Sequence, residues 1–481
     1  MTQIAPNTTI KVGQNAMPYL VFALSAHFAT PWLWNNALYP SIVKSLPFAQ
    51  ISYSAFPILA CILLIGSARK CKPLAKESVI PTLGGLILTP IGTALTVLFI
   101  MSNNSDTSIL VFGIGLFGLG RFFTFLVIGI NLLHVNLKTI ATAVSASLFL
   151  SGLYAGLIAL MPIEFSYIAT GLLESAAIVA CLIAAPMMSQ CAPLERFLST
   201  NGNQRMPASF PVPHGGIPLS FLAAIATFFL VFGFSGMYFP VSNTSGRLFF
   251  LLSFVPLVLP FSWMLTHPKS FPLDQIYRAS LIMTCLGFAA IAFPEIIPPD
   301  FASAVVMAGS HFFVVIYWTA LCSASQRHPS SIYASLTWGR LFASSGTLLG
   351  VILAIVILEI RTINSQVESL LAVSTALLYA IIAITVLKNV DFIELSIKRN
   401  PESSPINHLA KKHNLTPRET EVLALLAKGR NAQHIQEALL ISKNTTKTHM
   451  KHIYSKMNVH TQQELLSLIE RQSTSDTDNK Q

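Results

Sequence analysis

SILVFGIGLFGLGRFFTFLVIGINL, residues 108–132, is a run of 25 positions with one charged side chain, Arg121. About 20 apolar residues in a helix cross a hydrocarbon core roughly 30 Å thick. A run of this length and composition is therefore expected to be a membrane helix, not a strand or a soluble amphipathic helix. Gly113, Gly115, Gly118 and Gly120 precede the arginine. Gly113-x-Gly115-x-x-Gly118 imitates a dinucleotide fingerprint, but no strand precedes it. In a membrane helix such small residues let a neighbouring helix approach closely.

Working outward, the same composition extends over most of the chain. The 481 residues are 53% hydrophobic and only 10% charged, with a mean hydropathy of +0.62. A soluble domain carries about 25% charged residues, so a soluble multidomain enzyme, a disordered protein and a disulfide scaffold are excluded for most of the length. The charge is also unevenly placed. Residues 1–388 hold 27 charged side chains, about 7%, whereas residues 389–481 hold 23, about 25%. A membrane part is thus joined to a polar part of ordinary soluble composition.

Twelve runs can be marked as spans: 17–34, 48–66, 79–101, 108–132, 139–160, 163–187, 217–239, 248–266, 277–297, 301–325, 333–359 and 368–388. Only one connection is long, 188–216, so the layout is six spans, a loop and six spans. With the N-terminus in the cytoplasm, inner loops carry Arg69, Lys70, Lys72, Lys76, Lys138, Arg196, Arg205, Lys269, Arg278 and Arg327. Outer loops carry Lys44, Arg247 and Arg361. Ten against three obeys the positive-inside bias. It puts the 188–216 loop and the C-terminus in the cytoplasm and makes 1–388 a transmembrane domain.

The polar part reads as helices. After a linker at 389–412, Thr416 is a helix cap, Pro417 fits the first helical position and Glu419 completes a capping box. Val422, Leu425 and Leu426 form an apolar face, and Gly429 ends the helix. A second short helix fits 432–439. A third follows the cap Ser442 and runs 443–457, with Thr446, Met450, Ile453 and Met457 at inward spacing. A fourth starts near Thr461. The third helix is basic, and charge over 413–471 is +3 (8 basic, 5 acidic). Four short helices with a basic third match a helix-turn-helix. Residues 471–481 are expected to be a disordered tail.

Two resemblances sharpen this. The six-plus-six plan over 17–388 resembles the major facilitator superfamily. That family's loop after the second span usually carries an Asp-Arg pair among basic residues. Here the loop reads Gly66-Ser67-Ala68-Arg69-Lys70-Cys71-Lys72, with the basic residues but no aspartate, which counts against a transport cycle. Residues 413–470 resemble the LuxR/GerE-type DNA-binding domain. The matching residues are Leu415-Thr416-Pro417-Arg418-Glu419, Glu421-Val422-Leu423, Gly429, Ile435, Leu439, Ile441-Ser442, Thr445, Lys447-Thr448-His449, Ile453, Lys456 and Val459. Gln436 and Thr446 depart from the usual pattern. The fold class expected is all-α, a twelve-helix transmembrane bundle followed by a four-helix LuxR-type domain.

Candidate site residues follow. Lys443, Lys447 and Lys451 would reach DNA phosphates; Thr448 and His449 a phosphate or a base edge; Asn444 and Thr446 lie where base readout is expected, Thr446 alternatively packing in the core. Resemblance implies a homodimer on double-stranded promoter DNA through the last helix, 461–470. In the membrane part, ionisable residues are costly and so become candidates. Arg121 either pairs with Glu174 or receives the anionic group of a small ligand. Arg340, some eight residues into its span, either snorkels to the surface or joins the same pocket. His311, Tyr317, Trp318 and Trp338 would suit a flat aromatic ligand.

No HExxH, GxSxG or P-loop is present, and the six cysteines show no metal spacing. A non-enzyme without catalytic residues, cofactor or metal is expected. The leading expectation is a membrane-bound one-component transcriptional regulator that senses an aromatic or anionic small molecule. The alternative is a transporter of a small organic solute with an appended regulatory domain.

Overall fold

The computed structural model describes residues 6–33, 49–68, 79–102, 107–133, 135–159, 161–189, 213–238, 251–266, 273–291, 293, 295–327, 332–363, 374, 379, 409–410, 412–427, 432–439, 442–466 and 468. Among them every regular element is helical. The chain divides into two compact units, Met1–Ser396 and Ile397–Gln481.

In the first unit, α1 (Pro6–Trp32), α2 (Ala49–Ala68), α3 (Val79–Met101), α4 (Thr107–Leu132), α5 (Leu137–Ala159) and α6 (Ile163–Ser189) form a first set. After a 3-10 turn at Pro213–Gly216 come α7 (Leu219–Tyr238), α8 (Val258–Thr266), α9 (Leu273–Ile291), α10 (Pro299–Arg327) and α11 (Ile332–Ile363). Among the described residues, seven helices are long and apolar enough to cross a membrane: Ile80–Met101, Thr107–Leu132, Leu137–Ile158, Ile168–Met187, Leu219–Tyr238, Pro299–Gln326 and Tyr333–Glu359.

Two expectations change. The run 248–266 is not one helix: a 3-10 turn, Val255–Leu257, separates 251–252 from α8. Pro256 lies in that turn, where it has no N–H to give to a helical ladder. The ninth run begins earlier than expected, at Leu273, and its helix ends at Ile291. The twelfth run, 368–388, lies outside the described residues apart from Ser374 and Tyr379, as do most of the 188–216 loop and of the linker, and the whole 471–481 tail.

Packing repeats between the two sets. α1 lies against α5 and α3 against α4; in the second set α7 lies against α11 and α9 against α10. The sets meet where α2 touches α11 and where α5 touches α8 and α10. Close approach is built from small residues. A Cβ on Gly118 would strike the Tyr53 carbonyl, so only glycine lets α2 and α4 pack here. Gly346 and Gly350 on α11 play the same part against the Ala226 and Leu230 carbonyls of α7. Buried threonines return their hydroxyls to their own helix, as Thr89 to Gly85 O (2.8 Å) and Thr93 to Thr89 O (2.9 Å). The outer surface is apolar, with Leu59, Ile87, Leu98, Leu157, Leu172 and Leu259 all exposed. Such a surface is a liability in water and the required one in lipid.

The second unit contains α12 (Pro417–Ala427), α13 (Ala432–Leu439) and α14 (Lys443–Met457). Residues 462–466 are also helical. Val422, Leu423, Leu426, Ile435, Ile453, Met457, Val459 and Leu465 share one core with Leu409. The capping box forms in both directions: Thr416 N–H donates to Glu419 Oε2 (2.7 Å), and Glu419 N–H to Thr416 Oγ1 (3.3 Å). Ser442 caps α14 by accepting from Thr445 N–H at 3.1 Å. Asn458 ends it in the left-handed region at φ 52°, a conformation asparagine tolerates.

Candidate functional site

The first site lies between the two helix sets. Arg121 is buried in the middle of α4, with all three guanidinium nitrogens engaged. Nε donates to Glu174 Oε1 on α6 (2.9 Å), one Nη donates to the His27 carbonyl on α1 (2.7 Å), and the other donates to the Tyr53 hydroxyl on α2. His27 Nδ1 donates to the same Glu174 oxygen at 2.8 Å. Glu174 is fully buried, and its Oε2 has no hydrogen-bond partner among the described residues. Four helices are therefore tied by one buried ionic cluster. Gly118, one turn before Arg121, is what brings Tyr53 within reach.

Beside this cluster is a cavity of about 80 Å³. The first set contributes His27, Tyr53, Arg121 and Phe125, and the second Phe229, Tyr317, Trp318 and Arg340. Ser344 and Thr347 follow Arg340 along one face of α11. Arg340 is half-buried. Its guanidinium lies over the Phe125 ring (5.6 Å to the centroid). Among the described residues no ion pair or hydrogen bond engages it, and its buried Nε has no acceptor. The Tyr317 hydroxyl, also buried, has no partner among them either. Phe125 lies 4.8 Å from Trp318 and 6.1 Å from Tyr317, centroid to centroid.

Of the residues expected from sequence, Arg121, Tyr317, Trp318 and Arg340 meet at this cavity, and Glu174 stands behind Arg121. Two do not join them. His311 is buried elsewhere, stacked on Phe254 (4.2 Å), with Nδ1 donating to the Ser253 carbonyl at 3.3 Å. Trp338 packs edge-on against His214 (5.0 Å), away from the lining. Both sit on the cavity helices α10 and α11 but point to other faces. Sequence reasoning missed Tyr53, Phe125, Phe229 and Phe232 as lining residues. They stand in apolar runs where nothing distinguishes a cavity wall from ordinary core.

The second site is the exposed face of α14. Asn444, Lys447, Thr448 and Lys451 are exposed, and His449 is half-buried. Lys443 opens the helix, but its side chain is not among those described. Thr446 is a correction: it is fully buried and returns its hydroxyl to the Ser442 carbonyl (3.1 Å), so it packs in the core and cannot reach a base. Lys456 is exposed but tied down, bonded to Glu419 Oε2 (2.7 Å) and to the Asn414 carbonyl (3.2 Å). It clamps the end of α14 to the start of α12. Desolvation alone would raise the Glu419 pKa. The hydrogen bonds from Lys456 and Thr416 overcome that and lower it to about 2.

Residues 413–469 match the family described as GerE, bacterial regulatory proteins, luxR family. No curated protein matches the chain. In fold the chain is similar to an autoinhibited POT family peptide transporter, at 14% identity over 78% of this chain and 96% of that one, TM-score 0.50. It is equally similar to the major facilitator superfamily proton:xylose symporter XylE, at 10% identity over 79% and 97%, TM-score 0.50. The class is thus an all-helical membrane protein with a major-facilitator-like fold. More particularly, that fold is joined in one chain to a luxR-family helix-turn-helix domain.

Proposed function

We propose that this protein is a membrane-bound one-component transcriptional regulator. The bundle binds a small molecule at its central cavity, and the luxR-family domain binds double-stranded promoter DNA. One observation carries the reading: a luxR-family domain with an exposed basic face on α14 shares a chain with a bundle whose cavity holds polar groups without partners among the described residues. Exposed Lys447 and Lys451 would contact phosphates, joined by Lys443, while Asn444, Thr448 and His449 would lie along the groove. The bundle has twelve spans and lies in the bacterial plasma membrane, with both termini cytoplasmic. The domain has four helices and dimerises through 461–470. A ligand need only favour one of two bundle arrangements by a few kcal/mol to shift the output.

The test is a reporter under the target promoter. Lys447→Ala with Lys451→Ala should abolish regulation at unchanged protein level, and unchanged regulation would overturn the reading. The fold similarity to transporters favours a second reading, solute transport with appended regulation. Saturable uptake into vesicles that depends on an ion gradient would establish it.

A further inference from the structure

The cavity contains two arginines in opposite electrostatic situations. Arg121 pairs with Glu174, and one N–H on each of its other two nitrogens goes to the His27 carbonyl or the Tyr53 hydroxyl. Its charge is matched by a carboxylate, and each of its three nitrogens already holds a partner. Among the described residues Arg340 has no carboxylate and no hydrogen bond, and its guanidinium lies over an aromatic face. A cation held without a counter-charge in apolar surroundings is costly, and an incoming anion relieves that cost. The Tyr317 hydroxyl, 2% exposed and without a partner among the same residues, is a second donor on the same cavity.

We propose that Arg340, and not Arg121, is the ligand-binding cation, and that the ligand is a small aromatic monocarboxylate. The inference rests on the cavity being the sensing site. Among the described residues one positive charge is uncompensated, which matches one negative charge, since a dianion would leave an excess there. The planar guanidinium fork fits a carboxylate in two parallel bonds, and the tyrosine hydroxyl can donate to the same group. Phe125, Trp318 and Phe229 supply ring faces and edges for a flat apolar body. The cavity of about 80 Å³ is smaller than the roughly 150 Å³ that accommodates a benzene ring. Entry of the ligand therefore forces the two helix sets apart, which couples occupancy to bundle shape.

The test uses the purified full chain in detergent, with thermal unfolding as the readout and benzoate, benzamide and sodium chloride as probes. Benzoate at up to about 10 mM, well above a millimolar dissociation constant, should raise the unfolding temperature. Benzamide, its neutral analogue, and chloride at equal ionic strength should not. Arg340→Gln should weaken benzoate binding roughly 30-fold or more, and Arg340→Lys should keep part of it. No benzoate effect, an equal effect of benzamide or chloride, or an undiminished response in Arg340→Gln would each overturn the proposal. If Arg340→Gln does not fold, the comparison of benzoate with benzamide on the natural chain decides alone. Benzoate binding as expected, with a reporter indifferent to Lys447 and Lys451, would leave Arg340 standing and remove the regulator reading.

Discussion

Arg121 and Arg340 carry the same chemical group, and their neighbours give them different work. Glu174 neutralises Arg121 at 2.9 Å and is itself shared with His27 at 2.8 Å. Removing one partner from a buried pair strands the other charge, at about 3–5 kcal/mol. Arg121→Ala should therefore lower the amount of folded protein and its unfolding temperature in detergent, not merely remove a ligand response. Glu174→Gln should do the same, because the amide cannot neutralise the guanidinium. Glu419 makes a different prediction, through pH. Its folded pKa of about 2 lies below the ordinary 4.5 of a carboxyl group. The stabilisation is therefore present above about pH 4.5 and is lost as the pH falls toward 2. Glu419→Gln should flatten that acid limb in a circular-dichroism titration of unit 397–481. The candidate ion pair was legible in sequence, because two opposite charges in apolar spans have few other ways to be tolerated. Its consequence for Arg340 was not, since sequence does not say which arginine Glu174 will neutralise.

At the scale of elements, helix packing is set by the absence of side chains as much as by their presence. Gly346 and Gly350 lie one turn apart on α11 and face α7 backbone carbonyls. A side chain at either must push α7 away or distort α11. Gly350→Leu should destabilise the bundle by about 1–3 kcal/mol or more, measured as a lower unfolding temperature, while Gly66→Ala, with nothing within 4 Å of its Cβ position, should be nearly silent. Gly118→Val should act on the site itself: displacing α2 from α4 would part Tyr53 from Arg121. The glycines before Arg121 read correctly as packing residues, because a membrane helix has little other use for so many. The eighth run read wrongly as one helix. Its apolar composition satisfies the bilayer, but hydropathy is blind to the missing N–H of Pro256. In the second unit, capping residues marked the starts of α12 and α14 well, because a cap is a local interaction that sequence spacing already specifies.

For the whole molecule, the central expectation concerns DNA. Lys447→Ala with Lys451→Ala should weaken binding across all sequences. It should also reduce the slope of log affinity against log salt by about 2, one for each phosphate no longer neutralised. Electrophoretic mobility shifts at several salt concentrations check this. Thr446→Ala should instead cost stability with little change in sequence preference, since the hydroxyl is buried and bonded within α14. By itself the sequence determined that this chain is helical, that most of it belongs in a bilayer and that its polar end has a helix-turn-helix pattern. These follow from composition, periodicity and caps, which depend on residues close together in the chain. Only the tertiary structure decided which polar groups meet. It brought His27, Tyr53, Arg121 and Glu174, 147 positions apart at the extremes, into one cluster. It turned His311 and Trp338 away from the cavity and Thr446 into the core. It also left Arg340 without a counter-charge among the described residues. Charge compensation in an apolar interior acts between neighbours in space, and neighbourhood in space is settled by how helices pack rather than by their order along the chain.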